Sequence, residues 1–289
     1  MNDERSFDAF AARKTREAEA ARINPLRTLI DRSAAFPLEA IGHDWSIRMY
    51  GGPFHIPPPP AADLPVVTLI FVQSAAGNTG AANPSDLGGG DTDKHLLYEG
   101  LSRVAVDAVL SGATTAAGPD VFFSVWHPEL VALRLALGLP RHPAQVIVTG
   151  RGCIDVNRSL IFNVPDVPVF VIGSRVACAA LDDGVRHRPW VRMVGLEPSG
   201  LRGALSTLRI DHGLRRISAI GGRTTATALV DEGLVQDLHL TTGATSAGEP
   251  HTPWYVGRKL PGLEVIGRKD GTAEDEGVLF EHLAVRTSV

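Results

Sequence analysis

Ser218-Ala219-Ile220-Gly221-Gly222-Arg223-Thr224-Thr225 is the stretch on which the reading of this 289-residue chain turns. Upstream, Arg215-Arg216-Ile217 leads into a short apolar run that stops at two glycines. Downstream, Thr224-Thr225-Ala226 opens a segment with Leu229 and Val230 on one face, closed by Asp231-Glu232-Gly233, and residues 234–240 read as a further strand. The order is strand, glycine turn, helix, glycine stop, strand. Two adjacent glycines let the backbone take positive φ and approach a ligand without a Cβ in the way. A helix that begins there aims free N–H groups and the positive end of its dipole at a phosphate. A tight strand-to-helix turn with no ligand fits the same residues equally well.

Working outward, Val66-Val67-Thr68-Leu69-Ile70-Phe71-Val72 is a β-branched apolar run, the pattern of a strand buried on both faces. Further strands are expected at 108–110, 145–148, 167–172, 191–194 and 217–220. They alternate with helical patterns, one of them capped by Thr92 or Asp93 and carrying Leu96, Leu97, Leu101 and Val104 toward the core. Alternation of this kind predicts an α/β sheet with helices on its faces. The beginning of the chain reads differently. Residues 5–22 suit an amphipathic helix or a frayed tail, residues 25–30 a short helix opened by Pro25, and Pro57 to Pro60 a stiff extended spacer. The expected organisation is therefore an N-terminal appendage over 1–62 and a main domain over 63–289.

Four of the strands end in clusters of Gly, Ser, Thr or Arg. In an open α/β sheet a ligand binds beyond the carboxyl ends of the strands, so these loops would line one groove with N–H groups, hydroxyls and guanidinium groups. Small residues are also what βα turns require by themselves. Arg151, set between Gly150 and Gly152 directly after a strand, is placed for bidentate contact with a phosphate, or else is a solvated loop charge.

Composition narrows the field of functions. A net charge of -4 gives no global electrostatic reason for nucleic acid or an anionic membrane as partner. No run of about 18 apolar residues is present, so no membrane span is expected. The first residues lack the pattern of a signal peptide, and a cytoplasmic location is expected. Cys153 and Cys178 read as small apolar residues rather than a disulfide or metal pair. Ten histidines are scattered without metal-binding spacing, so no metal site is expected. His127-Pro128-Glu129 and His251-Thr252-Pro253-Trp254 are the polar clusters left as candidates for reaching a substrate; a helix-entry role suits Pro128 and Glu129 as well.

The order of these motifs reaches a known family. From about Tyr50 onward the chain resembles the reductase domain of the riboflavin-pathway deaminase/reductase, the RibD C-terminal domain. It is also similar to the single-domain pyrimidine-reductase-like proteins of the dihydrofolate reductase fold. The resemblance is carried by the strand Thr68 to Val72, by Leu101-Ser102-Arg103 with Asp107 to Thr115, by Gly221-Gly222 with its helix, and by Asp231 to Leu238. It implies a three-layer α/β/α fold with a mostly parallel central sheet and an antiparallel C-terminal edge, a homodimer, and NADPH as cofactor. Carried over residue by residue, it places Gly112, Ala113 and Thr115 along the cofactor. Thr149, Gly150 and Arg151 would face the adenosine 2′-phosphate, and Gly221, Gly222, Arg223 and Thr224 the pyrophosphate. Ser74, Arg103 and Ile220 would lie toward the substrate.

Departures from the family pattern matter too. Where members that reduce the riboflavin intermediate carry Ser-Leu-Asp-Gly, this chain has Ser74-Ala75-Ala76-Gly77; where they carry Glu-Gly-Gly, it has Ile220-Gly221-Gly222. The acid that commonly follows the family's Thr is displaced: Pro119 holds its place, with Asp120 beside it. Two carboxylates that would accept hydrogen bonds from a polar heterocycle or assist protonation are absent from Ala76 and Ile220. The expectation is an NADPH-dependent reductase of a small heterocyclic (pyrimidine- or pterin-like) or conjugated molecule other than the riboflavin intermediate. The alternatives are a non-catalytic nucleotide-binding sensor or assembly protein, and a structural dimer with an empty groove.

Overall fold

In the computed structural model, which describes residues 2–286, helix α1 (Asn2–Ala20) is followed by strands β1 (Arg27–Asp31) and β2 (Glu39–Ile41), helix α2 (Asp44–Tyr50) and strand β3 (Phe54–Ile56). Then come β4 (Val66–Gln73), a π-helical segment (Thr92–Leu101), β5 (Ala108–Gly112), α3 (Ala113–Ala116), α4 (Pro128–Ala136) and β6 (Ala144–Thr149). The chain continues through β7 (Val169–Gly173), α5 (Arg175–Val185), β8 (Val191–Gly195), α6 (Gly200–Ile210), β9 (Arg216–Ile220), α7 (Arg223–Asp231) and β10 (Asp237–Thr242). Two long strands, β11 (Gly262–Asp270) and β12 (Leu279–Arg286), end it.

Ten strands form one sheet in the order β1-β11-β12-β10-β4-β9-β5-β6-β7-β8. The run from β10 to β8 is parallel throughout, and the β10, β12, β11 and β1 pairings are antiparallel. This is the mostly parallel sheet with an antiparallel edge that the resemblance implies. The alternation of side chains along each strand fills two cores. Val67, Leu69, Leu110, Val146 and Ala219 pack under α6 and α7 on one face. Ile70, Val109, Ile147, Val171 and Ile220 pack on the other, under α1, α4 and the π-helical segment. Burial on both faces is why the run at 66–72 is continuously apolar instead of alternating.

The N-terminal region does not stand apart. β1 pairs with β11 and becomes the outer strand of the main sheet. Phe10, Leu26, Met49 and Phe54 belong to the same core as Val109 and Ile147, with Phe10 packed edge-on against Trp126 at 5.6 Å. The boundary expected at residue 62 therefore separates no independent body. Residues 25–30 correct a second expectation. They lead into β1, which begins at Arg27, and form no helix, because the Leu26 N–H donates to Met49 O at 2.8 Å and the open edge of β11 supplies the remaining partners. Six residues carry too little periodicity to distinguish the two, and the tertiary partner decides.

The helix expected after Thr92 is present but π-wound, and neither proposed cap acts as one. Thr92 donates its hydroxyl to Asp275 at 2.5 Å, and buried Asp93 accepts the hydroxyl of Thr241. Both side chains tie the segment to the C-terminal part of the chain. Leu96, Leu97, Leu101 and Val104 are buried as expected.

Candidate active site

β5 and β9 are adjacent and parallel, so the loops at their carboxyl ends meet. Gly221 and Gly222 both take left-handed backbone, at φ 60° and 75°. Gly222 is the N-cap of α7 and supplies no side-chain cap. A Cβ on Gly222 would sit 3.9 Å from the Gly112 amide, and one on Gly221 would sit 3.8 Å from Thr115 Cγ2. The structure thus brings Gly112, Ala113 and Thr115 of one loop against Gly221, Gly222, Arg223 and Thr224 of the next. Thr225, to which the resemblance gave no cofactor role, joins them: its Oγ1 lies 3.1 Å from where a Cβ of Gly112 would be.

A second loop group lies beyond β6 and β7. Thr149 Oγ1 accepts the Gly152 N–H at 3.0 Å, and Ser174 donates its hydroxyl to Gly150 O at 3.3 Å. Gly152 is required on two counts. Its φ is +68°, and a Cβ there would meet the Ala177 carbonyl oxygen at 2.5 Å. The turn so fixed presents Arg151 at the surface, and among the described residues its guanidinium has no hydrogen-bond or ion-pair partner. The half-exposed Arg223 has none either.

Beside the second group, which contributes Gly150, lies a cavity of about 490 Å³, lined also by Val148, Leu196, Leu201 and Ala228 together with Glu197 and Glu232. The two acids explain an electrostatic asymmetry. Glu197 accepts the Arg175 amide at 3.0 Å at the start of α5, where Ser174 Oγ also accepts the Ala177 amide at 3.1 Å. Glu232 accepts the amides of Leu201 and Arg202 at 3.4 and 3.0 Å at the start of α6. Those helix N-termini already hold carboxylates, which complement the dipole and satisfy the free amides. α7 holds none. Of the three helices of nine or more residues that begin along this edge, it alone presents an uncapped N-terminus, behind two glycines that keep the approach clear.

The residues expected at the substrate end are placed otherwise. Ile220 is fully buried in the core under the π-helical segment. Ser74 follows β4 at the groove edge, but it is fully buried and its Oγ accepts the Asn78 amide at 3.4 Å, closing its own turn. Arg103 is a correction. It precedes β5, near Asp107, whose carboxylate accepts the Arg215 and Arg216 amides at 2.7 and 2.8 Å where β9 begins. That is the amino end of the strands, opposite the groove. Its guanidinium is buried over the Tyr98 ring at 3.9 Å and donates to Ser124 O at 3.0 Å. Of the two histidine clusters, His127 stacks on Trp45 at 4.5 Å, and burial lowers its pKa. His251 is exposed with a φ of 61°, while Trp254 is buried against Phe71.

Glu197 and Glu232 escaped the sequence reading. Glu232 sits in a segment read only as the end of a helix, and its bond to a helix 30 residues earlier has no local signature.

No protein-family model matches the chain, and no match was found among curated proteins. Solved structures do match. A pyrimidine reductase-like protein from Corynebacterium diphtheriae aligns with a TM-score of 0.61 and 22% identity, over 78% of this chain and 93% of that one. RibD of Acinetobacter baumannii aligns with a TM-score of 0.58 and 18% identity, over 77% of this chain and 58% of its own. The riboflavin biosynthesis reductase of Saccharomyces cerevisiae aligns at 0.52 and 16%, over 77% and 90%. At these identities the likeness establishes the fold, which is the one the sequence resemblance implies.

Proposed function

We propose that this chain is an NADPH-dependent oxidoreductase that reduces a small heterocyclic or conjugated substrate other than the riboflavin-pathway intermediate. The observation that carries the reading is the uncapped N-terminus of α7 behind Gly221 and Gly222, set against the Gly112–Thr115 loop. Backbone amides in that position bind a pyrophosphate, and the helix dipole adds to their attraction. Arg223 and Thr224 flank it. Arg151, unpaired and exposed, is the group that would take a 2′-phosphate, and Thr149 and Gly150 set the turn that presents it. The apolar wall of Val148, Leu196, Leu201 and Ala228 suits an adenine ring.

A reduced nicotinamide supplies the hydride in such enzymes, and the protein has to position the acceptor and exclude water. At the substrate end this chain places Ala75 and Ala76 in the loop after β4 and hides Ile220 in the core. The lack of a carboxylate at positions 76 and 220 favours an acceptor that takes its proton from water, such as an activated C=N or C=C bond. It also favours a second reading, a nucleotide-binding sensor or assembly protein without turnover. A homodimer in the cytoplasm belongs to the first reading as an expectation of the resemblance. Among the described residues no helix is long and apolar enough to cross a membrane.

Calorimetric titration with NADPH, with NADH as control, tests the cofactor half. Micromolar binding that prefers NADPH is expected, and failure to bind either nucleotide overturns both readings. Oxidation of bound NADPH by any member of a panel of pyrimidines, pterins and enones then separates the reductase from the sensor.

A further inference from the structure

At the other end of the sheet, three titratable side chains converge that the groove does not use. Asp237 and His239 are two residues apart on β10 and so point to the same face. His282 on β12 stands directly opposite His239 in the antiparallel register. The His282 Nε2 lies 2.6 Å and the His239 Nε2 3.8 Å from the same carboxylate oxygen, Asp237 Oδ2. One donor atom from each residue falls within 4.8 Å of the others. The remaining oxygen, Oδ1, accepts the Thr68 hydroxyl at 2.6 Å, which turns Oδ2 toward the two imidazoles.

All three residues are buried, none more than 4% exposed. His282 and Asp237 are hydrogen-bonded to each other, but His239 makes no hydrogen bond among the described residues, and its Nδ1 is buried without a partner. An unsatisfied buried polar group costs about 1–3 kcal/mol, so a buried imidazole whose Nδ1 has no partner and whose Nε2 stands 3.8 Å from a carboxylate oxygen calls for an explanation. A cavity of about 10 Å³ adjoins it, lined by Thr68, Ser102, Ile217 and His239, with Ile56 and Pro57 as its outer wall. That is about the space one water occupies.

We propose that Asp237, His239 and His282 bind a first-row divalent transition-metal ion of the Zn²⁺ class, with one water in the adjoining cavity as fourth ligand. Two imidazoles and one carboxylate form a borderline donor set that suits zinc, cobalt or iron(II) and is too nitrogen-rich for calcium or magnesium. The ion gives His239 the partner it lacks. Its ligands sit at about 2.0–2.2 Å, so binding draws His282 and Asp237 apart from direct hydrogen-bond contact by about 0.7–1 Å. Thr68 is the outer partner that orients the carboxylate, as metal-ligating groups require.

The site lies near the amino ends of β10 and β4, away from the groove at their carboxyl ends. Its role is structural: it ties β10 to β12 and closes the wall formed by Ile56 and Pro57 at the end of β3.

The test uses the full chain, stripped with a chelator and titrated with Co²⁺. The expected result is an intense visible d–d band of tetrahedral Co²⁺ that saturates at one ion per chain and disappears when Zn²⁺ is added. It is absent from His239→Ala and from His282→Ala, and retained in His251→Ala, which removes an exposed imidazole elsewhere. As a reading independent of how the core variants fold, X-ray absorption at the zinc edge of the wild-type protein is expected to show two imidazoles and light oxygen donors. Absence of the tetrahedral band in folded wild-type protein overturns the proposal. So does a band that survives in both core variants, or a zinc shell that contains sulfur from Cys153 or Cys178.

Discussion

The Glu232 carboxylate accepts the Arg202 backbone amide at 3.0 Å, and the Arg202 guanidinium in turn donates to the Glu232 carbonyl at 2.7 Å. The end of α7 thereby closes the beginning of α6, and the anion that α6 would otherwise attract is already in place. Glu232→Ala removes this cap. A loss of about 1 kcal/mol is expected, the usual cost of a missing N-cap, read as a lower urea midpoint at unchanged slope. An unchanged midpoint would show that the bond contributes nothing.

Among the described residues the Arg151 guanidinium pairs with no carboxylate, and its role is read in a ratio. Arg151→Ala should weaken NADPH binding by about tenfold or more, the worth of a charge-assisted contact to phosphate, and leave NADH binding nearly unchanged. Calorimetry with both nucleotides decides it. Equal losses for the two would remove Arg151 from the 2′-phosphate.

The neighbouring glycines make a matched pair. Gly152→Ala drives a methyl group to 2.5 Å from the Ala177 carbonyl oxygen on a backbone of φ +68°. It should cost on the order of 1–3 kcal/mol. Gly150→Ala meets nothing within 4 Å and carries no positive φ, so its effect should stay within about 0.5 kcal/mol. Thermal melts of the two variants side by side test this, and equal destabilisation would contradict it.

Asp93 gives a pH dependence of known sign. Burial raises its pKa from 3.8 to about 6, with the Thr241 hydroxyl opposing and the nearby Asp275 charge adding to the rise. A raised carboxyl pKa means that the folded state binds more protons than the unfolded state across that window, so the contribution of Asp93 to stability falls as pH rises from about 4 to about 6. Asn carries no such proton. The difference in unfolding free energy between Asp93→Asn and wild type should therefore shift in the variant's favour by up to about 3 kcal/mol between roughly pH 4 and pH 7. A difference independent of pH would show that Asp93 titrates normally.

What the sequence determined by itself is whatever its local chemistry makes unambiguous. The apolar run at 66–72 had to be a strand covered on both sides, and Gly221-Gly222 had to be a left-handed turn opening a helix, because no other residue pair takes φ of 60° and 75° at so little cost. From such units, in order, the parallel sheet followed, and with it the edge on which Gly112, Thr149, Arg151 and Gly222 gather. Tertiary structure decided the rest. Residues 27–31 are a strand only because β11 leaves an edge open to them. Arg103 and Ile220 are core residues only because of which end and which face their neighbours occupy. Glu232 reaches α6, and His282 reaches Asp237 across 45 residues, through strand order and register alone. Contacts of that kind depend on how a folded sheet aligns distant segments, and spacing along the chain carries no trace of them.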